Sequence, residues 1–169
     1  MKWYIKLIGI FGATVLLIAC QKGKASNGVD LRPKAFHKHS CAACGMIIRE
    51  QSAPRGQIVY RGGKHHFFCS ISDMMTTLEM PSRHGKPLAV YTEVMDPHVH
   101  PNKFVTAGQT WVKATDAHYL LGYKKVRVMG VPVLVYQTKQ DAQQIAKKYK
   151  ASVYSWQNFL PAWRKARDK

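Results

Sequence analysis

Twice along this chain, short apolar stretches with the spacing of strands give way to a helical period. The segment GQIVYRGGKHHFFCSISDMMTTLEM, residues 56–80, reads as a strand, a hairpin turn at Gly62-Gly63, a second strand and a helix beginning near Ser72. Ser70 stands three positions before Asp73, the spacing of a cap whose hydroxyl accepts a free N–H of the first helical turn. KPLAVYTEV follows as a strand with Pro87 near its start. From residue 128 the order returns in VMGVPVLVYQTKQDAQQIAKKYKASVYSW: Gly130, an apolar strand through Tyr136, Thr138 three before Asp141, a helix, and the strand ASVYSW. Gly62 and Gly130 are 68 positions apart, and so are Asp73 and Asp141. A shorter second loop then brings AVY at 89–91 onto SVY at 152–154.

This pattern predicts an α+β fold made of two similar small β-hairpin, helix and strand units. Each is too small to bury much apolar surface alone, so the two should pack together, and a cleft between them is a natural ligand site. The first unit is placed at 40–95, the second at 96–160, and 161–169 is read as a basic tail. Between the units, MDPHVHPNKFVTAGQTWVKATDAHYLLG carries Pro97 and Pro101 and predicts a loop leading into a short amphipathic helix around Lys113 to Leu121.

The beginning of the chain reads differently. Lys2 and Lys6 precede an apolar run from Leu7 to Ala19, shorter than a bilayer span and proportioned like the core of a signal peptide, assigned to 1–19. The run ends in Leu17-Ile18-Ala19-Cys20, which resembles a bacterial lipobox, in which the cysteine is diacylated and becomes the new N-terminus. Lipidation of Cys20 would anchor the protein without a spanning helix, and Gln21 in place of an aspartate points to the outer membrane, facing the periplasm. Residues 20–39, polar and containing Gly23, Gly28 and Pro33, read as a flexible tether.

Charge and cysteine count narrow the function. The 26 Lys+Arg against 9 Asp+Glu give +17, yet an exported lipoprotein meets no nucleic acid and there is no interleaved basic and aromatic signature. The basic surface suits anionic lipid headgroups or an acidic partner, or is simply solvated. With Cys20 lipidated, Cys41, Cys44 and Cys69 remain, an odd number for an oxidising compartment. Either one stays reactive or a metal holds it.

The chemistry concentrates in HKHSCAACGMII, residues 37–48. Covalent haem attachment needs CxxCH, and position 45 is Gly. A thioredoxin-like pair at Cys41 and Cys44 would need the first thiol at a helix start, whereas Gly45 and two β-branched residues follow the motif. A Cys41–Cys44 disulfide in the metal-free protein stays open. Zinc would need four closed ligands, and no second pair has zinc spacing. His65 and His66 point to opposite faces of a strand, leaving a Cys3His set open. Copper(I) suits the residue types best, because thiolate with thioether favours a soft monovalent ion, and Cys44 and Met46 share a face in an extended segment. His37 and His39 stand as transient third ligands. Of the other methionines, Met74, Met75 and Met80 read as helix core, and Met129 stands out beside Gly130 at the expected interface. His98 and His100 are a second, harder metal pair or a solvated one.

The lipobox, CAACGM, GQIVYRGGKHHFFCSISDMM and the later VMG together resemble the NosL family of accessory lipoproteins, over about Ser40 to Trp156. The resemblance implies a pair of small α+β units and a Cu(I)-binding metallochaperone, not an enzyme, delivering copper to nitrous-oxide reductase. It carries Cys44, Met46 and Met129 over as ligands and makes Cys41 a weaker one; beside that set, Cys41 and Cys69 stand as possible additional ligands of this chain. The strong basic charge, Cys69 and the His-rich lead-in depart from the family pattern and bear on which enzyme receives the metal.

Overall fold

A computed structural model describes residues 29–169; the expected signal peptide and Cys20 lie outside the described residues. The first hairpin folds as its pattern predicts. In the first unit β1 (Gly56–Tyr60) pairs antiparallel with β2 (Lys64–Phe68), α1 (Ile71–Glu79) follows, and β3 (Ala89–Glu93) returns along the other side of β1. The second unit repeats that path with β5 (His118–Leu121), β6 (Leu134–Tyr136), α2 (Lys139–Tyr149) and β7 (Ser152–Ser155). The first sheet runs β2-β1-β3-β4, gaining β4 (Trp111–Lys113), and the second β6-β5-β7.

Both helix starts use the same chemistry. The Ser70 Oγ accepts the Asp73 N–H at 3.1 Å and the Thr138 Oγ1 accepts the Asp141 N–H at 3.1 Å. Such a cap contributes about 1 kcal/mol, and it fixes where each helix leaves its hairpin.

The residues read as an amphipathic helix, 113–121, instead form the end of β4, a single helical turn at Ala114–Asp116, and β5. Tertiary pairing decides this: β5 is the central strand of the second sheet, and the spacing of Tyr119 and Leu121 against Leu120 suits two buried faces. Tyr119 and Leu121 join Val133 and Val135 in the core shared with the first unit, while Leu120, Leu134 and Tyr136 face α2. A sheet covered on both sides needs unbroken apolar strands, which accounts for VPVLVY.

Two further expectations are corrected. The basic tail is helical: α3 (Trp156–Arg167) continues through Pro161 and buries Phe159 and Trp163 completely. Its basic side chains stay on the outer side, where Arg164 and Arg167 clasp Glu79 at the end of α1, the latter at 2.6 Å. The tether also ends early. Phe36 is buried beneath the Arg55 guanidinium, 4.1 Å from its ring, and the Lys34 N–H donates to Gln57. Arg55 and Glu93 form an ion pair at 2.5 Å with neither side chain exposed, and the guanidinium also donates to the carbonyls of Thr106 and Ala107. These added hydrogen bonds are what a buried pair needs to offset desolvation.

Three elements meet at Ser72. Its buried Oγ accepts from the Val131 N–H at 3.0 Å and from the Trp163 Nε1–H at 3.0 Å, joining α1, the second unit and α3. Gly130 lies so close that a Cβ there would come within 2.7 Å of that oxygen, and its φ of +68° independently favours glycine. The loop carrying Gly130 is moored further back, where the buried Lys125 ammonium donates to the Pro101 carbonyl and the Val126 N–H to Asn102 at 3.2 Å.

Replacing Ser72 by Ala leaves two buried donors without an acceptor, and we expect a loss of about 2 kcal/mol in urea denaturation. Lys125 supplies a pH signature, because burial pulls its ammonium down to about 8. The unfolded chain then binds more protons between pH 8 and the ordinary value of 10.5, so this contribution to stability rises with pH across that window. Denaturation at pH 8 and pH 10 should show that rise in the wild type and its loss in Lys125→Met.

Candidate metal centre

The CxxC segment is a chain reversal, not an extended strand. Ser40 and Ile47 form an isolated antiparallel bridge, the Cys41 N–H donates to the Met46 carbonyl at 2.8 Å, and the Gly45 N–H returns to the Cys41 carbonyl at 2.9 Å. Gly45, at φ +77°, takes the left-handed conformation that the reversal requires. The Ala42 N–H then donates to the Phe67 carbonyl at 2.8 Å, seating the turn on the end of β2. Cys69 follows β2 directly and Asp73 lies in the first turn of α1, so the hairpin, the cap and the CxxC turn converge at one point.

There the side chains of Cys41, Cys44, Cys69 and Asp73 place their ligating atoms within 4.8 Å of one another. The Cys44 and Cys69 sulfurs are 3.5 Å apart; the Asp73 Oδ2 is 3.1 Å from the Cys69 sulfur and 3.6 Å from that of Cys41. Cys41 and Cys69 are buried and Cys44 is exposed, so the cluster opens to solvent on one side.

Protons are unequally shared among the three thiols. Interaction with the Cys69 side chain, helped by backbone N–H groups from Cys69, Cys44 and Ala43, pulls Cys41 down to about 5 against its burial. Cys69 is pushed up, first by that same interaction with Cys41, then by burial and the Asp73 carboxylate. Desolvation raises Cys44, against the opposing N–H of Met46. Loading the cluster with a cation displaces the protons its thiols still carry.

The predicted ligands are distributed around this cluster. Cys41, Cys44 and Cys69 come together. Met46 is half-buried and packs against the core, on a turn rather than the extended segment the sequence suggested. Met129 is 45% exposed, on the segment that packs Gly130 over Ser72, the neighbour of Asp73. His37 and His39 are exposed and stand outside the cluster, the latter stacked on Phe67 at 4.2 Å. His98 and His100 are exposed, and among the described residues they form no cluster with a third ligand. Asp73 is the member the sequence reading used only as a helix-capping partner. Its spacing, four after Cys69 across a helix start, was the available signal.

Fold and cluster together define a class: duplicated α+β proteins that gather soft ligands beside the seam between two units. A family model described as NosL matches residues 33–163, and the chain belongs to that family. The copper-binding lipoprotein NosL of Stutzerimonas stutzeri is 30% identical over 118 residues, covering 69% of this chain and 60% of that protein; the match thus spans less than two thirds of its length. The crystal structure of the copper chaperone NosL from Shewanella denitrificans shares the fold, with a TM-score of 0.61 and 24% identity over 73% of this chain and 92% of that one. The solution structure of apo-NosL from Achromobacter cycloclastes aligns at a TM-score of 0.43, with 18% identity over 60% of this chain and 81% of that one.

The sulfur separations predict how the metal-free protein oxidises. Mild treatment with a disulfide oxidant should link Cys44 to Cys69, 3.5 Å apart, in preference to Cys41–Cys44. Peptide mapping by mass spectrometry identifies the pair.

Proposed function

We propose that this chain is a Cu(I) carrier, anchored through Cys20 at the periplasmic face of the outer membrane, which gives its ion to a copper enzyme, nitrous-oxide reductase first among them. The observation that carries this reading is the convergence of three sulfur atoms with Asp73 within 4.8 Å, one of them on an exposed turn. A soft d10 ion takes two or three such ligands and leaves positions free. A recipient's ligand can then bind before the carrier's last ligand leaves, and no substrate bond is made or broken.

The set is proposed as Cys44 with Met46 and Met129, supported by Cys41 and Cys69. Cys44 is the sulfur a recipient can approach, while the buried Cys41 and Cys69 hold the inner side. Met129 would close the site from the second unit: its side chain is exposed, and its segment is fastened to Ser72, the neighbour of Asp73. A thioether carries no proton and forms no disulfide, which suits a ligand that must let go.

Thiol-disulfide catalysis fits less well. That chemistry needs its low-lying thiolate exposed to substrate, whereas here the depressed thiol, Cys41, is buried and the exposed one, Cys44, is raised. Zinc is the second reading, favoured by the Asp73 oxygen, which completes a Cys3Asp set in place of the histidine expected from sequence.

Anaerobic Cu(I) titration against a competing chelator, with metal analysis of protein purified without oxygen, tests the proposal. Cys44→Ser should weaken Cu(I) by about 100-fold, equivalent to about 2.7 kcal/mol, and Met46→Leu and Met129→Leu by about tenfold each. An unchanged affinity in Met129→Leu removes that residue from the set. Stoichiometric zinc with no Cu(I) uptake overturns the carrier reading.

A further inference from the structure

From the thiol cluster a groove of about 520 Å³ runs along the outer face of α1, with Cys44 and Asp73 at one end and His66, His84 and Met80 further along. Asp73, Thr76, Thr77 and Met80 share that face at helical spacing, so the groove floor extends about 10 Å from cluster to Met80. Nothing in the thiol site needs the far end, yet it is built. The His66 and His84 rings lie edge to face with centroids 4.9 Å apart, and the buried Tyr60 packs against both, at 5.0 and 5.6 Å. His84 is held by a tight turn in which its own N–H donates to the Ser82 Oγ at 3.1 Å and the Gly85 N–H to the Ser82 carbonyl at 3.0 Å. Met80 departs from the core role of Met74 and Met75: it is 59% exposed at the end of α1.

We propose that His66, His84 and Met80 form a second, weaker Cu(I) station, from which the ion passes along the groove to the cysteines. This rests on the copper reading above. An ion bound to two imidazole nitrogens at roughly 2 Å each needs them roughly 4 Å apart, which rings at this separation can present by side-chain rotation. Imidazole and thioether hold Cu(I) less strongly than thiolates do, so occupancy runs downhill toward Cys44. The cationic neighbours Lys64 and Arg83 disfavour a divalent ion more than a monovalent one. Arg83 donates to His84 Nε2 at 3.4 Å, but it is exposed and free to swing away. The copper stays monovalent throughout, and each step exchanges one ligand for another.

Anaerobic Cu(I) titration of the full chain should give two equivalents, the second held about 100-fold more weakly. His66→Ala/His84→Ala should lose only the weak one and keep the ultraviolet thiolate-to-copper absorption; Cys44→Ser/Cys69→Ser should lose that absorption and keep the weak one. In stopped-flow loading from a Cu(I)–chelator complex, the histidine variant should fill the thiolates about tenfold more slowly at unchanged final affinity. Because His66 packs on Tyr60, the surface variant Met80→Leu provides an independent check, weakening the outer equivalent alone. Retention of the weak equivalent in the histidine variant, or a single equivalent in the wild type, overturns the proposal and leaves the thiolate site standing. Retention of the tight equivalent in Cys44→Ser/Cys69→Ser overturns the thiolate reading and the transfer path with it.

Discussion

One hydroxyl fixes the relation between chemistry and scaffold. The Ser72 Oγ accepts a backbone N–H from the second unit and the indole N–H of Trp163, and Gly130 closes over it with no room for a side chain. Both acceptor positions of that oxygen are used away from water, where an unmet donor is costly. Because Ser72 precedes Asp73, the same contact that joins the units also sets the position of the carboxylate in the cluster. The fold and the site therefore cannot be varied independently at this point.

The first hairpin, and the cap and helix of each unit, were legible because their signals are local. Gly62 and Gly130 at positive φ, and Ser70 and Thr138 as caps, act within a few residues of themselves. The elements misread from sequence are those settled by distant partners. The 113–121 stretch offers a helical stripe as readily as a strand, and its pairing with β6 and β7 decides the matter. Residues 161–169 read as a basic tail, yet the pockets that receive Phe159 and Trp163 belong to other elements and hold the helix through Pro161. Phe36 lay inside a polar lead-in whose composition concealed one buried ring.

The site was legible by residue type and less so by geometry. Cys41, Cys44 and Cys69 were nominated because thiols are few and chemically distinctive. Their convergence depends on the Ala42 to Phe67 hydrogen bond, a link between segments that spacing alone does not reveal. Period-two reasoning gave Met46 a face shared with Cys44 in an extended segment, whereas the segment is a turn with a left-handed glycine between them. Asp73 escaped notice because its role in capping already explained it.

The duplication is architectural without being chemical. At the 68-residue offset Cys69 corresponds to Gln137, and no cysteine of the first unit has a counterpart in the second, although the cap, the helix and the left-handed glycine all do. The second sheet is sealed on both faces, between α2 on one side and the shared core on the other. One half of the molecule has become a wall, and among the described residues its twin keeps all three cysteines. For the carrier proposed above, this leaves no exchange between equivalent halves: cargo arrives and departs on the side of the first unit, and direction is written into the asymmetry of the repeat.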